Sequence, residues 1–375
     1  MNSFSEIVRD VRERLNAGLG DQRSAPQRHA QGGSAVNQVR HAKRALRQEM
    51  RRNQTLKPIA HWLLGKRYQA HIELADFRMR LGAKIAGSEA FRPTSTVNPE
   101  NMIWIFGIGR SGTTWLRDMM RDLSNHQTWD EPLVGKLFGD FYYKETVVNL
   151  SRADFIMGDP IRKGWIKSVR NFVLDGAGYS HPRLRPEDLL VIGEHNGSVG
   201  APLLMESLPE SRMILLVRDP RDVVASILDG ARKGGWIHQW REKNGMWGHQ
   251  AFGEEEPNAY VRHLAERYLR EVGCARRAYA LHKGRKVLVK YEDLRADTLN
   301  TMKSLYAALE IPVDGEELER TVAVHTWENI PAKNKGKGKF HRKATPGGWR
   351  ADLTTEQARL IEEITAPLLR EFYPA

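Results

Sequence analysis

A glycine-rich segment, Gly107-Ile-Gly-Arg-Ser-Gly-Thr-Thr114, combines residue types that bind phosphate groups. The apolar run from Met102 to Phe106 before it predicts a buried strand, and the amphipathic run from Thr113 predicts a helix. A strand, a glycine turn and a helix N-terminus in this order direct backbone N–H groups and the positive end of the helix dipole at one point. The segment is therefore predicted to bind an anion, although a plain strand-to-helix turn is the alternative.

The spacing Gly107-x-x-x-x-Gly112-Thr113-Thr114 matches the P-loop pattern of nucleotide-binding proteins except at one position. Thr113 stands where the P-loop lysine would follow the second glycine, and Arg110 is the only cation in the turn. That lysine reaches the β- and γ-phosphates of a nucleoside triphosphate. Its absence favours a ligand with a shorter anionic tail over Mg-ATP or GTP.

Polar residues lie at the ends of two further predicted strands. The predicted strand Leu189–His195 carries His195 at its carboxyl end. The strand Met213–Val217 is followed by Arg218, and Ser226 lies two turns along the next predicted helix. Ligands of open α/β sheets bind outside the carboxyl ends of the strands. His195 is therefore a candidate general base or a structural histidine, and Arg218 a candidate anion contact or part of an Arg–Asp turn.

The alternation of predicted strands and helices from residue 101 onward predicts the fold class. A fourth strand is expected at Lys286–Tyr291. The chain is expected to form an α/β three-layer sandwich with a central parallel sheet, like that of P-loop proteins. Residues 101–375 would form this domain.

Residues 1–100 are predicted to form a basic helical N-terminal extension with a flexible link at residues 20–34. Six basic residues and one acid lie between Arg40 and Arg52. This segment would either contact an anionic surface peripherally or form a solvated face.

Composition limits the classes of partner and location. The 375-residue chain has a formal net charge of +12, which favours anionic ligands. Cys274 is the only cysteine, so an intrachain disulfide and a cysteine-based zinc site are excluded. The sequence has no apolar run long enough to span a membrane and no signal-peptide pattern. A cytoplasmic location is expected.

Two segments are predicted to cover the site. Residues 233–257 contain Trp236, Trp240 and Trp247 among glycines and charged residues, which is typical of a substrate-covering loop. Residues 334–349 combine glycines, cations and an aromatic residue, and predict an anion-binding flap. A solvated basic loop is the alternative for the second segment.

Four motifs in order carry a resemblance to a known family. They are Arg110-Ser-Gly-Thr-Thr-Trp115, Arg218-Asp-Pro-Arg-Asp-Val-Val-Ala-Ser226, Tyr291-Glu-Asp-Leu294 and Arg342-Lys-Ala-x-x-Gly-Gly-Trp-Arg350. Over about residues 101–370 the chain resembles sulfotransferases that use 3′-phosphoadenosine 5′-phosphosulfate (PAPS). The resemblance implies in-line transfer of a sulfuryl group from PAPS to an acceptor hydroxyl or amine, with no metal expected.

The resemblance also assigns roles to the phosphate loop. Ser111 and Gly112 would help to hold the 5′-phosphosulfate, and Thr113 and Thr114 would bind the 5′-phosphate. Arg110 stands where the family often has lysine, and it would stabilise charge on the leaving oxygen.

Residues further along the chain would complete the nucleotide site. Trp115 would lie beside the adenine, and Tyr291 would contact the nucleoside. The 3′-phosphate would be bound by four residues: Arg218, Ser226, Arg342 and Lys343. The flap departs from the family pattern at Ala344 and Gly348, which stand for the usual Gly and Asp.

Three residues are candidates for the base. One branch of the family has a lysine two residues before a histidine at the end of the second strand. His195 matches that histidine, but Gly193 replaces the lysine. Other branches use a glutamate near the first helix, which indicates Glu131. Glu194 is the third candidate.

Two other functions are alternatives to sulfuryl transfer. A P-loop-like kinase would need the absent lysine, and a non-catalytic anion- or glycan-binding protein would bind without turnover. For the transferase, the acceptor is expected to be a small molecule or a carbohydrate, a glycan being one candidate, and no nucleic-acid partner is expected. The sequence makes no prediction of oligomeric state.

Overall fold

The computed structural model describes residues 97–243 and 257–374, and all structural statements refer to these residues. The predicted N-terminal helices and link, the basic run and Trp247 lie outside them. The described residues form a five-stranded parallel sheet with the spatial order β2-β3-β1-β4-β5. The strands are β1 (Met102–Phe106), β2 (His126–Asp130), β3 (Leu189–Gly193), β4 (Arg212–Val217) and β5 (Lys286–Lys290).

Helices connect the strands and follow the last one. They are α1 (Thr113–Arg121), α2 (Val134–Asn149), α3 (Arg162–Ser180), α4 (Ala201–Ser207), α5 (Pro220–Ala231), α6 (Trp236–Lys243), α7 (Pro257–Leu281), α8 (Tyr291–Ala296), α9 (Thr298–Ala308), α10 (Gly315–Val324) and α11 (Thr355–Phe372).

The central strand β1 is buried on both faces, as its continuous apolar run predicts. Its side chains alternate between two hydrophobic clusters. Met102, Trp104 and Phe106 pack with residues of α3, α4, α5, α7 and α11. Ile103 and Ile105 pack with residues of α1, α9 and α10 on the other face. Helices therefore cover both faces of the sheet, and the predicted three-layer α/β sandwich is confirmed.

Strand β2 was not predicted from the sequence. Its residues, His126-Gln-Thr-Trp-Asp130, are mostly polar and only partly buried, because β2 is an edge strand that pairs with β3 alone. Neither a continuous apolar run nor a clear alternation marks such a strand. Its position matters for function because Glu131 follows its carboxyl end directly.

Two predicted strand ends are wrong by a few residues. The strand Leu189–His195 ends at Gly193, and Tyr291 begins α8 instead of ending β5. His195 therefore lies in the connection after β3, and Tyr291 lies in the first turn of α8.

The carboxyl ends of the parallel strands meet at one edge of the sheet. β1 lies between β3 and β4, so the loops after these strands are neighbours. This is the edge where open α/β sheets bind ligands. Within residues 97–243 and 257–374, no helix is both long and apolar enough to cross a lipid bilayer.

Candidate active site

The loop between β1 and α1 needs glycine for steric reasons at two positions. A Cβ on Gly107 would lie 2.5 Å from the carbonyl oxygen of Leu216 in β4. Gly112 has a φ of +93°, and a Cβ there would lie 2.6 Å from the ring of Tyr291. Arg110 also adopts the left-handed region, with a φ of 77°. These conformations bring the loop close against β4 and α8.

Helix α1 begins at this loop without a side-chain cap. Gly112 is its N-cap, and it offers no side-chain oxygen to the first turn. The N–H groups at the start of a helix have no partner within the helix, and the dipole favours negative charge there. The loop and the first turn of α1 can therefore bind an anionic ligand.

A cavity of about 420 Å³ opens at this loop. Every predicted nucleotide-binding residue except Ser111 lines it. Ser111 is fully buried in the loop itself, and its Oγ has no hydrogen-bond partner among the described residues. The structure thus brings residues from four separate motifs, spread over more than half of the chain, around one pocket.

Two arginines, Arg110 and Arg218, line the cavity. Arg218 donates a hydrogen bond from Nη1 to the carbonyl oxygen of Arg110 at 3.0 Å. Its guanidinium lies 4.1 Å from the ring centre of Tyr291, and its Nε is buried without a partner among the described residues. Burial, together with the charge of Arg218, lowers the pKa of Arg110 to about 10. Two partly buried like charges, one of which has an unpartnered buried N–H donor, favour an anion beside them.

Arg110 links the phosphate loop to the predicted flap. Its Nε donates to Ser226 Oγ at 3.1 Å, and its Nη2 donates to the carbonyl oxygen of Phe340. The guanidinium also lies 4.6 Å from the ring centre of Phe340 and 5.2 Å from that of Trp236. Ser226, a predicted 3′-phosphate contact, thus bonds to Arg110 in this structure.

Two carboxylates of α5 hold the flap over the cavity. Asp222 accepts hydrogen bonds from the backbone N–H groups of Gly347 and Trp349 at 2.7 and 2.8 Å. Asp229 accepts one from Gly338 at 2.6 Å. These anchors fix both ends of the flap segment that carries the predicted phosphate-binding cations.

The two flap cations line the cavity and share Asp352 as an ion-pair partner, and Arg342 Nε also lies 3.6 Å from Asp229 Oδ2. Arg342 and Lys343 both form ion pairs with Asp352, the latter at 2.8 Å. Burial opposes ionisation of Asp352, but the hydrogen bonds from Lys343 and Arg342 hold its pKa below the ordinary value. Asp352 therefore compensates part of the positive charge that Arg342 and Lys343 bring to the cavity.

Two of the candidate bases form one hydrogen-bonded pair. His195 Nε2 contacts Glu131 Oε1, and the side chain of Asn196 donates to Glu131 Oε2 at 2.9 Å. The hydrogen bond from His195, with that from Asn196, lowers the pKa of Glu131. The Glu131 side chain is 38% exposed and that of His195 only 7%, so the carboxylate is the accessible member of the pair.

The His195 member of this pair lies beside the phosphate loop, although neither residue of the pair lines the cavity. A Cβ on Gly109 would lie 3.8 Å from both His195 Cδ2 and Asn196 Oδ1. The sheet register explains the contact, because Asp130 of β2 pairs with Gly193 of β3. The residues that follow these two strands must then lie side by side.

The third candidate base, Glu194, has a different environment. It is fully buried, and its oxygens accept hydrogen bonds from the backbone N–H groups of Leu133 and Gly135, each at 3.1 Å. Burial raises the pKa of Glu194 to about 7. This geometry is that of a carboxylate that caps the N-terminus of α2.

Several residues at the site were not found from the sequence. Arg267 of α7 donates to Asn196 Oδ1 at 3.1 Å and so supports the Glu131 contact from a distant helix. Asp222 and Asp229 hold the flap. The predicted loop at residues 233–257 is wrong over residues 236–243, because Trp236 and Trp240 belong to the helix α6. That this segment covers the substrate stays a prediction. Contacts between distant segments carry no local signal in the sequence.

Comparisons with known proteins identify the family of the chain. A family model described as "Sulfotransferase domain" matches residues 100–373. Human carbohydrate sulfotransferase 3 is 27% identical over 176 residues, which is 46% of this chain and 35% of that protein. The chain thus matches about a third of that relative's length.

Solved structures of similar fold have low sequence identity. A mouse sulfotransferase complexed with PAP is 16% identical, with 74% of this chain and 88% of that chain covered and a TM-score of 0.45. A sulfotransferase from Mycobacterium avium is 14% identical, with 83% of each chain covered and a TM-score of 0.47. Since the family model spans nearly all of the described residues, the chain belongs to the sulfotransferase family.

Proposed function

We propose that the protein transfers a sulfuryl group from PAPS to an acceptor hydroxyl or amine. The observation that carries this proposal is the cavity at the β1–α1 loop, which has anion-binding groups at its base and a carboxylate–imidazole pair beside its loop. A kinase would need the absent P-loop lysine to bind its triphosphate. A protein that only binds anions would not need the Glu131–His195 pair.

The donor set at the cavity suits a nucleotide with two separate anionic ends. Thr113 and Thr114, at the start of α1, would bind the 5′-phosphate through hydroxyl and backbone donors. Arg218 would bind the 3′-phosphate with the buried Nε that no described protein group satisfies. Arg342 and Lys343 would add to this contact from the flap, and the aromatic ring of Trp115 would flank the base.

PAPS would supply the sulfuryl group, and the protein would supply the proton acceptor and the charge stabilisation. Glu131, as the exposed member of the pair, would take the acceptor proton while the new bond to sulfur forms. His195 and Asn196 would keep the carboxylate ionised and oriented. Arg110 would stabilise the negative charge that develops on the 5′-phosphate oxygen as its bond to sulfur breaks.

The acceptor is proposed to be a small molecule or a carbohydrate. The match to a carbohydrate sulfotransferase supports the second choice. We also propose that residues 101–375 carry the activity and residues 1–100 form a separate extension, which agrees with the start of the family match at residue 100. The cytoplasmic location stays a prediction.

Calorimetric titration tests the proposal. Adenosine 3′,5′-bisphosphate should bind far more tightly than ATP with Mg²⁺. Arg218→Ala should weaken bisphosphate binding about 10- to 100-fold, because hydrogen bonds to charged groups contribute about 1.5–3 kcal/mol. Arg276→Ala is the matched control, because this arginine of α7 is half-exposed and pairs only with Glu371 among the described residues.

Activity is then measured with radiolabelled PAPS and a panel of acceptors that includes a simple phenol, monosaccharides and polysaccharides. Tighter binding of Mg-ATP than of the bisphosphate would instead favour a kinase. Bisphosphate binding without transfer to any acceptor or to water would favour the non-catalytic alternative.

A further inference from the structure

The loop that carries Glu131 has a strained backbone. Glu131 and Leu133 both adopt positive φ values, 47° and 59°, although neither is glycine. Side chains rarely tolerate this region, and such residues persist only where the surroundings hold them in place. Something other than the local sequence must therefore hold residues 131–135 in this conformation.

Glu194 supplies the contacts that hold this loop. Its Oε2 accepts the N–H of Leu133, and its Oε1 accepts the N–H of Gly135. Leu133 is the N-cap of α2 and has no side-chain oxygen with which to cap the helix. The buried carboxyl group of Glu194, the residue directly after β3, therefore caps the N-terminus of α2.

Two glycines make room for this arrangement. A Cβ on Gly197 would lie only 1.8 Å from Glu194 Oε1. A Cβ on Gly135 would lie 2.1 Å from the carbonyl oxygen of Gly197. The carboxylate and the loop can approach each other only because both side chains are absent.

The residues after β3 thus contact both the backbone and a side chain of this loop. Glu194 binds its backbone, and His195 and Asn196 bind the side chain of Glu131. We infer that Glu194 is a positioning residue, which holds residues 131–135 so that the Glu131 carboxylate lies against His195, whose ring is beside Gly109. This inference rests on the proposed sulfuryl transfer with Glu131 as the proton acceptor.

Glu194→Gln tests the inference with little change of volume. The amide keeps one accepting oxygen, but its NH₂ group cannot accept the second backbone N–H. We expect kcat for transfer from radiolabelled PAPS to fall about 10- to 100-fold, as for a misplacement of about 1 Å at a reacting group. The KM for PAPS and the affinity for adenosine 3′,5′-bisphosphate should not change.

A double-mutant cycle separates positioning from direct chemistry. If Glu194 acts only through Glu131, Glu194→Gln has no further effect on kcat in a Glu131→Gln background. An undiminished loss in that background would make Glu194 a base in its own right and overturn the inference. So would a kcat of Glu194→Gln equal to that of the wild type.

Asp188→Asn is the matched control. Asp188 is a buried carboxylate at the opposite end of β3, and it accepts the backbone N–H of Arg185 at 3.0 Å. Its loss should leave kcat unchanged if the effect of Glu194→Gln is specific to the loop.

Hydrogen exchange tests the inference without any turnover. The amides of Leu133 and Gly135 should exchange faster in Glu194→Gln than in the wild type or in Asp188→Asn. Unchanged exchange would overturn the inference even if transfer is observed. A wild-type protein that transfers no sulfuryl group to any acceptor or to water would refute the proposed function, whereas the exchange measurement would still decide whether Glu194 holds the loop.

Discussion

Gly112→Ala is the sharpest test of the phosphate loop, because the structure shows two separate penalties for it. A Cβ at this position would lie 2.6 Å from Cδ2 of Tyr291, and the backbone has a φ of +93°. A side chain in the left-handed region costs about 1–2 kcal/mol. Crowding in a packed interior costs about another 1–3 kcal/mol. The variant should therefore lose about 2–5 kcal/mol of unfolding free energy.

The same substitution should weaken nucleotide binding. The Tyr291 ring can avoid the new methyl group only by moving, and its centre lies 4.1 Å from the Arg218 guanidinium. A cation–π contact of this kind contributes about 0.5–2 kcal/mol. Since about 1.4 kcal/mol is a tenfold change, the affinity for adenosine 3′,5′-bisphosphate should fall about 2- to 30-fold.

Urea unfolding and calorimetric titration measure the two effects. Gly273→Ala is the control, because Gly273 lies within α7 and a Cβ there would meet nothing within 4 Å. It should stabilise the protein by up to about 1 kcal/mol, since alanine favours helix over glycine. Wild-type stability and wild-type bisphosphate affinity in Gly112→Ala would refute the steric argument for this loop.

Two further predictions concern the carboxylates after β2 and β3. Asn196→Ala removes a hydrogen bond that lowers the pKa of Glu131, so this pKa should rise. The acidic limb of the kcat–pH profile should then move to higher pH, while the affinity for adenosine 3′,5′-bisphosphate stays unchanged. An unmoved limb would exclude Glu131 as the group that must be ionised. Burial raises the pKa of Glu194 from 4.5 to about 7, so the folded state binds this proton more tightly than the unfolded chain does. From about pH 4.5 to 7 the wild type should therefore lose up to about 3 kcal/mol of unfolding free energy relative to Glu194→Gln, and parallel stability–pH curves for the two proteins would contradict the raised pKa.

Local chemistry explains what could be predicted from the sequence. The phosphate loop was predicted because its strand, glycines and helix start lie within 20 consecutive residues. Arg218 was placed at a strand end because Asp219 and Pro220 mark the next helix start. The structure shows Asp219 as the N-cap of α5, and its side chain accepts the N–H of Arg221. Such signals depend only on neighbours along the chain.

The errors share a physical cause. β2 is a polar edge strand that is stabilised by pairing with β3, more than 60 residues away, and not by its own side-chain pattern. Helix α6 was predicted as a loop because glycines and charged residues surround its tryptophans. Its first residue, Trp236, is held by the flap. The backbone N–H of Trp236 donates to the carbonyl oxygen of Gly338 at 2.9 Å, and its ring centre lies 5.1 Å from that of Phe340.

The sequence by itself determined the fold class, the anion-binding loop and ten of the residues that line the cavity, because these depend on short motifs and on the order of strands and helices. Only the tertiary structure decided how the three candidate bases relate. The pairing of Asp130 with Gly193 places the residues after β2 against those after β3. That register brings Glu131 into contact with His195 and buries Glu194 at the N-terminus of α2. No local pattern specifies the register, because it is set by packing across the whole sheet.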